Sequence, residues 1–461
     1  MNHQQARPSS TGTVDVQALI DEHPLSSWQW LVFGMCFIIV LLDGFDTAAI
    51  GYIAPSLIKE WGVTKPMLGP VLSAALFGLA GGALGAGPVA DRLGRKSVLV
   101  ISVLIFGLAS LASSFAGSLS ELSALRFVTG LGLGAAMPNA VTLVSEYSPS
   151  ARRSMLTNLM FCGFPLGAAL GGFLAARMIP QWGWQSVLKL GGAAPLLLVL
   201  ALLFLLPESV RFMVTRRHSV EKIRAALVHI AGASVHRYER FTLSETRVVT
   251  NERGGLALIL DRPYRLGTLM LWVAYFMGLV IFYSLINWMP ILFKEAGLEP
   301  RTATLVSALF PLGGVGAVFF GWLMDRMEPN RLLAICFGLT SLAIWSIGQL
   351  VDQIGLLMMG VFVAGVLMNT SQSSLAALAT GFYPTKGRAT GVAWMMGVGR
   401  FGGIAGSFLV AQLSTQDMGI RSVFAIIAIP AVIAAAALWI KRNADGQTRN
   451  PDAEPVEVLA H

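Results

Sequence analysis

The sequence predicts an all-α membrane protein, with twelve transmembrane helices arranged as two pseudo-symmetric halves of six. Three observations carry this. The 461 residues are 55% hydrophobic and 13% charged, and a mean hydropathy of +0.67 is too apolar for a soluble globule. Twelve apolar runs, each near the ~20 residues a spanning helix needs, centre on Val40, Phe77, Phe106, Leu133, Phe164, Leu197, Gly278, Leu312, Leu342, Gly365, Gly399 and Ile429. The second half also echoes the first: Asp91 is answered by Asp325, Pro55 by Pro290 and Pro149 by Pro384, at offsets of 234 or 235 positions. Constant offsets mark an internal duplication, and paired halves in a membrane usually enclose a site at mid-depth.

The first run holds the stretch around which the chain is organised, LLDGFDTAAIGYIAP from Leu41 to Pro55. An Asp at the centre of a spanning helix costs ~3 kcal/mol, so two of them, Asp43 and Asp46, point to function. Their i, i+3 spacing sets both on one helix face, where two acids resist double ionisation. They are expected to couple protons as a pair, with neither ranked above the other. The competing reading is that they only hydrogen-bond neighbouring helices.

After the second run stands Gly87-Pro-Val-Ala-Asp91-Arg92-Leu-Gly94-Arg95-Lys96. Its glycines allow a tight turn against a neighbour, and its acid and basic cluster can pair across a cytoplasmic mouth. Asp325 and Arg326 in GWLMDR form the degenerate second copy. Glu146 and Asp325, at helix ends, are expected in gate networks with Arg92, Arg152, Arg326 or Arg388.

Arg126 in the fourth run and Arg400 in the eleventh are the cations deep in the apolar runs, and a buried guanidinium needs a partner. Arg126 is expected to balance Asp43 or Asp46, and Arg400 to grip a substrate carboxylate bidentately. Tyr283 and Asn287 share a face of the seventh run at i, i+4. Asn369 and Gln372 interrupt the tenth, and Trp394 precedes Arg400 by about two turns. Together these form a candidate cage for an aromatic ring and its substituents. The glycines at 130, 132 and 134, and at 399, 402, 403 and 406, permit close helix approach and are candidate moving faces.

The expected organisation is a tail over residues 1–26, a six-helix bundle over 27–206, a central loop over 207–264, a second bundle over 265–441 and a tail over 442–461. Within the loop, SVEKIRAALVHI has Ser219 as a cap and Val220, Ile223, Leu227 and Ile230 at helical spacing, which predicts a short amphipathic helix on the membrane surface. Most of the 33 Lys and Arg fall in segments that lie on one side if the N-terminus is cytoplasmic, so both ends are expected there. The polar start gives no cleavable signal peptide, and the first run is expected to act as the targeting element.

The complete G-x-x-x-D-R-x-G-R-K string from Gly87 to Lys96 resembles the signature of the major facilitator superfamily. With it, DGFD, RFVTGLGLGAAMPNA from Arg126, SEYSP from Ser145, PESVRF from Pro207 and FYPTKGRATGVAWMMGVGRFG from Phe382 resemble the aromatic acid/proton symporters, and within them the permeases of 4-hydroxybenzoate and protocatechuate. PESVRF is the least diagnostic, since sugar porters carry a similar string. The resemblance covers about Val14 to Ile440. It implies a bacterial inner-membrane importer of monocyclic aromatic carboxylates, such as benzoate-like acids, driven by proton symport with alternating access.

Other classes are weighed against this. The +8 charge is spread over short loops, not gathered into one basic face, so no nucleic acid partner is expected. Cys36, Cys162 and Cys336 lie in apolar runs without metal spacing, so neither metal nor cofactor is expected. All six histidines fall in tails or the central loop, which leaves carboxylates as proton carriers. No G-x-x-x-x-G-K-[ST] loop occurs, so transport is secondary. No nucleophile with a base appears in the apolar runs, so the chain is not expected to be an enzyme. Its partners are expected to be the small aromatic carboxylate, protons and the bilayer, with the protein acting as a monomer. A proton-coupled antiporter or exporter of aromatic or drug-like compounds is the main rival; Gly163-Phe-Pro-Leu-Gly167 with Gly171-Gly172 lacks the Gly-Pro-x-x-Gly-Gly order of such proteins. A membrane chemosensor for aromatic acids is the third reading.

Overall fold

A computed structural model of the chain describes residues 12–243, 255–316, 327–383, 388–416 and 418–448. Lipid offers backbone groups no hydrogen-bond partners, so apolar runs of this length fold as helices. In order come β1 (Thr13–Asp15), α1 (Val16–Asp21), α2 (Ser27–Trp61), α3 (Lys65–Leu93), α4 (Arg95–Ser113), α5 (Leu119–Tyr147), α6 (Arg153–Phe161), α7 (Gly163–Trp182) and α8 (Gln185–Leu205). Then follow α9 (Val210–Thr215), α10 (Val220–Ala231), β2 (Arg240–Thr242), α11 (Gly255–Ile259), α12 (Arg262–Glu295), α13 (Pro300–Leu312), α14 (Pro329–Gln349), α15 (Ile354–Phe382), α16 (Arg388–Leu413) and α17 (Ile420–Thr448).

Among the described residues, ten spans are long and apolar enough to cross a membrane, α6 and α7 counting as one. The break between those two at Cys162 follows from Pro165, which has no N–H to offer the carbonyl of Phe161. The other two expected runs fall on α13, which leads into residues 317–326 outside the described set, and on α16. α16 is not among the ten spans; its glycines and Arg400 dilute its apolar content.

The chain forms two compact units. One comprises Met1–Ile53 and Ala74–Val249, the other Ala54–Ser73 and Thr250–His461. The division therefore cuts α2 and α3 as well as the central segment. Residues 54–73 belong with the second unit because Lys65 pairs with Glu295 at 2.8 Å, Lys294 Nζ donates to the carbonyl of Pro55 at 3.2 Å, and Gly69 lies against Phe408 and Ala411.

In the first unit, helices touch backbone to backbone at small residues, the packing expected where lipid removes the hydrophobic drive. An added Cβ on Gly130 or Gly134 of α5 would stand 2.0 or 2.1 Å from the carbonyl oxygens of Ala75 and Leu79 in α3. Gly132, on another face of α5, is pressed against Ser102 and Phe106 of α4. In the second unit Gly402 and Gly406 of α16 lie on the carbonyls of Phe276 and Val280 in α12, and Gly365 of α15 lies on that of Phe310 in α13. These glycine faces set close helix crossings inside each unit.

The amphipathic helix of the central segment departs from expectation. α10 forms over Val220–Ala231, but Ile223, Leu227 and Ile230 are buried in the core of the first unit, not laid on a lipid surface. What covers them is the N-terminal segment expected as a tail. Val16, Leu19 and Ile20 of α1 are at most 1% exposed and share that core, and β1 pairs in parallel with β2 in the register Thr13 to Arg240. Trp28 stacks on His229 at 4.4 Å. Helical spacing reports an apolar face and says nothing of whether lipid or protein covers it. The clip is tied down by Asp21, which accepts from Ser150 N and Oγ at 2.7 and 2.8 Å.

Candidate functional site

In the first unit the signature acid of α2 meets the cation of α5. Arg126 Nη1 donates to Asp46 Oδ1 at 2.9 Å and Nη2 to Oδ2 at 2.7 Å, a bidentate pair with side chains 0% and 1% exposed. Nη2 also reaches the Asp46 carbonyl at 3.2 Å, and Ser110 Oγ of α4 donates to Asp46 Oδ1 at 2.9 Å. A planar guanidinium matches a carboxylate in this way, and full burial makes the pair costly to break. Of the two candidate partners for Arg126, the structure brings Asp46. Asp43, also buried, accepts from Thr47 Oγ1 at 3.3 Å on its own helix. The pair expected to act together thus enters two different settings three residues apart.

The glycine between them has a steric reason. An added Cβ on Gly44 would stand 1.9 Å from the carbonyl oxygen of Phe164 in α7, and one on Gly167 would stand 1.8 Å from that of Leu41 in α2. The two helices cross in backbone contact at the acids themselves.

The second unit gathers the other candidates on α12, α15 and α16. Arg400 of α16 is half-buried next to Gly399, where the ring of Tyr275 lies; an added Cβ there would meet the ring at 2.2 Å. Tyr275 interacts with the charge of Arg400 and with the side chain of Gln372, whose Nε2 also donates to the Tyr275 carbonyl at 3.4 Å. Asn287 is 1% exposed; its Nδ2 donates to Ser407 Oγ of α16 at 3.0 Å, while Oδ1 has no hydrogen-bond partner among the described residues. Tyr283 stands half-buried one turn earlier. Asn369 spends its amide N–H groups on the carbonyls of Gly365 at 2.8 Å and Phe310 at 3.2 Å, which ties α15 to α13. Trp394 is 44% exposed and stacks on Trp272 of α12 at 5.9 Å.

In the motif loop the basic residues serve as helix caps. Arg95 Nη1 donates to the carbonyl of Ala90 in the last turn of α3 at 3.0 Å, and Lys96 Nζ to that of Leu203 near the end of α8 at 2.8 Å. Cations are favoured on such terminal carbonyls. Gly94 has φ 93°, a left-handed turn that glycine makes without strain. Arg92 is exposed. Glu208 of PESVRF supplies the anion: Oε1 accepts from the amides of Arg95, Lys96 and Ser209 at 2.8, 3.1 and 2.8 Å, capping α4. Tyr147 donates to its carbonyl at 2.7 Å. Glu146 accepts from Ser209 Oγ and feels the charges of Arg95 and Arg211, in place of Arg92 or Arg152. The side chains of Gly87, Asp91 and Arg388 lie outside the described set, as do residues Asp325 and Arg326 entirely.

Replacing Glu208 with Ala should therefore cost about 0.5–2 kcal/mol through the orphaned first turn of α4. Glu208→Gln, which keeps an acceptor and loses the charge, should fall between it and the wild type. Thermal melting of the purified proteins reads the order, and equal melting of all three would refute the cap.

Sequence reasoning passed over Glu208, Ser110, Tyr275 and Ser407. An acid just past a span, and hydroxyls inside apolar or glycine-rich runs, were the available signals.

Comparison with known proteins settles the family. The family model described as Major Facilitator Superfamily matches residues 36–348 and 271–460. The chain belongs to the major facilitator superfamily. It is 49% identical over 429 residues to the 4-hydroxybenzoate transporter PcaK of Pseudomonas aeruginosa, covering 93% of this chain and 96% of that protein. To the gallate transporter of Pseudomonas putida it is 46% identical over 439 residues, 95% of this chain and 97% of the other. Among solved structures, the inward-open conformation of the xylose transporter XylE from E. coli superposes with a TM-score of 0.71 at 18% identity, covering 89% of this chain and 95% of that one. At that identity the likeness concerns the fold, and the fold is that of this superfamily. As a member, the chain is a membrane transporter and not an enzyme. Among the described residues no group of three or more His, Cys, Asp or Glu is placed to hold a metal ion.

Proposed function

We propose that this protein imports a monocyclic aromatic carboxylate, of the 4-hydroxybenzoate, protocatechuate or benzoate-like kind, by proton symport with alternating access. The observation that carries the reading is identity of 45–49% to four aromatic-acid transporters along at least 93% of the chain. The site chemistry agrees with it. Arg400 is the cation for the substrate carboxylate, and Tyr275, Tyr283, Asn287 and Gln372 supply ring walls and polar contacts. Trp394 and Asn369 support that region through Trp272 and α13. Asp43 and Asp46 couple the proton, since the chain's histidines all fall outside the apolar runs. Gly87, Asp91 and the basic residues after them, with Asp325, Arg326 and Arg388, form the cytoplasmic gate. The protein sits in the inner membrane and acts as a monomer, with both termini cytoplasmic, an orientation supported by its distribution of Lys and Arg.

The structure changes which variant tests coupling. Asp46→Asn strands a buried guanidinium, whereas Asp43→Asn leaves the Asp46–Arg126 pair whole. In proteoliposomes, radiolabelled 4-hydroxybenzoate should accumulate in the wild type when an inward proton gradient is imposed. Asp43→Asn should lose that stimulation while still binding the acid. Uptake indifferent to the gradient would remove the symport reading, and gradient-driven expulsion would favour the antiporter.

A further inference from the structure

Among the described residues, the second unit contains a buried acceptor without a partner. Asn287 is 1% exposed, and its amide orientation is set because Nδ2 donates to Ser407 Oγ at 3.0 Å. Ser407 in turn donates to the carbonyl of Gly403 at 3.2 Å, so the side chain that holds the amide is itself held. What remains is Asn287 Oδ1, a buried carbonyl without a hydrogen-bond partner among the described residues. A buried acceptor left unpaired is costly, and such a group marks a place where a donor belongs.

The position of that acceptor relative to Arg400 identifies the donor. Arg400 and Ser407 are seven residues apart on one continuous helix, α16, which puts them on the same face and about two turns, ~10 Å, apart along the axis. Between them on that face lies Gly403, which has no side chain to obstruct it. A benzene ring with a carboxylate at one end and a hydroxyl opposite, plus one hydrogen bond of ~2.8 Å at each end, spans roughly 12 Å, which the two-turn rise and the length of an arginine side chain accommodate. Tyr283, one turn from Asn287 on α12, adds an aromatic wall at the same level.

We propose that Asn287 is the hydroxyl acceptor of the aromatic-acid site, selecting para-hydroxylated rings over unsubstituted benzoate. The proposal rests on the reading above, with Arg400 as the carboxylate anchor. Asn287 accepts the phenolic O–H, and an unsubstituted ring leaves Oδ1 unpaired. Sites built to bond a substrate hydroxyl reject the analogue lacking it more strongly than apolar pockets reject an added one.

The test is ligand binding to the full-length purified protein by titration calorimetry, with 4-hydroxybenzoate, 4-fluorobenzoate and benzoate as probes. The wild type should prefer 4-hydroxybenzoate to both others by at least about tenfold. Asn287→Leu, close in volume, should lose that preference by weakening 4-hydroxybenzoate alone, with benzoate changed less than about twofold. Ser407→Ala, a smaller change that frees the amide to rotate, should weaken 4-hydroxybenzoate by about three- to tenfold and spare benzoate, and it carries the test if the leucine variant does not fold. Equal losses on all three acids in either variant, or a preference that survives in both, would overturn the acceptor role and leave the aromatic-acid site standing. A wild type that binds no aromatic carboxylate would instead overturn the reading on which the proposal rests.

Discussion

Asp46→Asn should destabilise the first unit by about 3–5 kcal/mol, the usual penalty for removing one partner of a buried ion pair. The loss exceeds that of one hydrogen bond because Arg126 keeps its full charge in a place with 0% exposure, and its two donors to the carboxylate at 2.7 and 2.9 Å lose an ionised acceptor. Ser110 cannot replace it: its hydroxyl already points its proton at Asp46 Oδ1. Pairing Asp46→Asn with Arg126→Leu should recover most of the stability, since two apolar or neutral groups leave no orphan charge. Thermal melting in detergent, run as a double-mutant cycle, measures this; additive single effects would show that the pair is not coupled. Both single variants should transport poorly for this reason, whatever the role of Asp46 in proton transfer.

Gly44→Ala and Gly167→Ala should reduce uptake to a few per cent of wild type or below, a loss on the order of 10²-fold for a displacement of about 1 Å near the acids. Neither change removes a polar group. Added methyls would stand 1.9 and 1.8 Å from the carbonyl oxygens of Phe164 and Leu41, and backbone atoms cannot rotate away as a flexible side chain would. The helices α2 and α7 must part, which moves Asp43 and Asp46 relative to Ser110 and Arg126. Gly34→Ala on the same helix is the control. A Cβ there meets nothing within 4 Å, so that variant should transport normally and gain slightly from the reduced freedom of the unfolded chain. Equal uptake in all three would mean that the crossing yields without disturbing the acids.

Local properties of the chain announce much of this protein. Hydrophobic length and frequency show spanning helices, because lipid forces helical backbone on any apolar run of about twenty residues. The cost of burying charge singles out Asp43, Asp46, Arg126 and Arg400 before any fold is known. Repeated offsets show the duplication, and the Gly87–Lys96 string marks the superfamily. All of these depend on what each residue is and on its near neighbours in sequence.

Tertiary structure decides what depends on position in space. It chooses Asp46 over Asp43 as the partner of Arg126, since two acids three residues apart look alike to any rule about burial, while only one reaches a guanidinium 80 positions away. It covers α10 with the N-terminal clip, because an apolar face in sequence does not name its cover. It moves residues 54–73 into the second unit through contacts such as Lys65 with Glu295, across 230 positions. It brings Glu208 to the start of α4 from more than 110 residues away. Finally, among the described residues it leaves Asn287 with a fixed donor and an unmatched acceptor. A sequence shows that an amide is buried, but whether each of its ends is satisfied is a question of geometry.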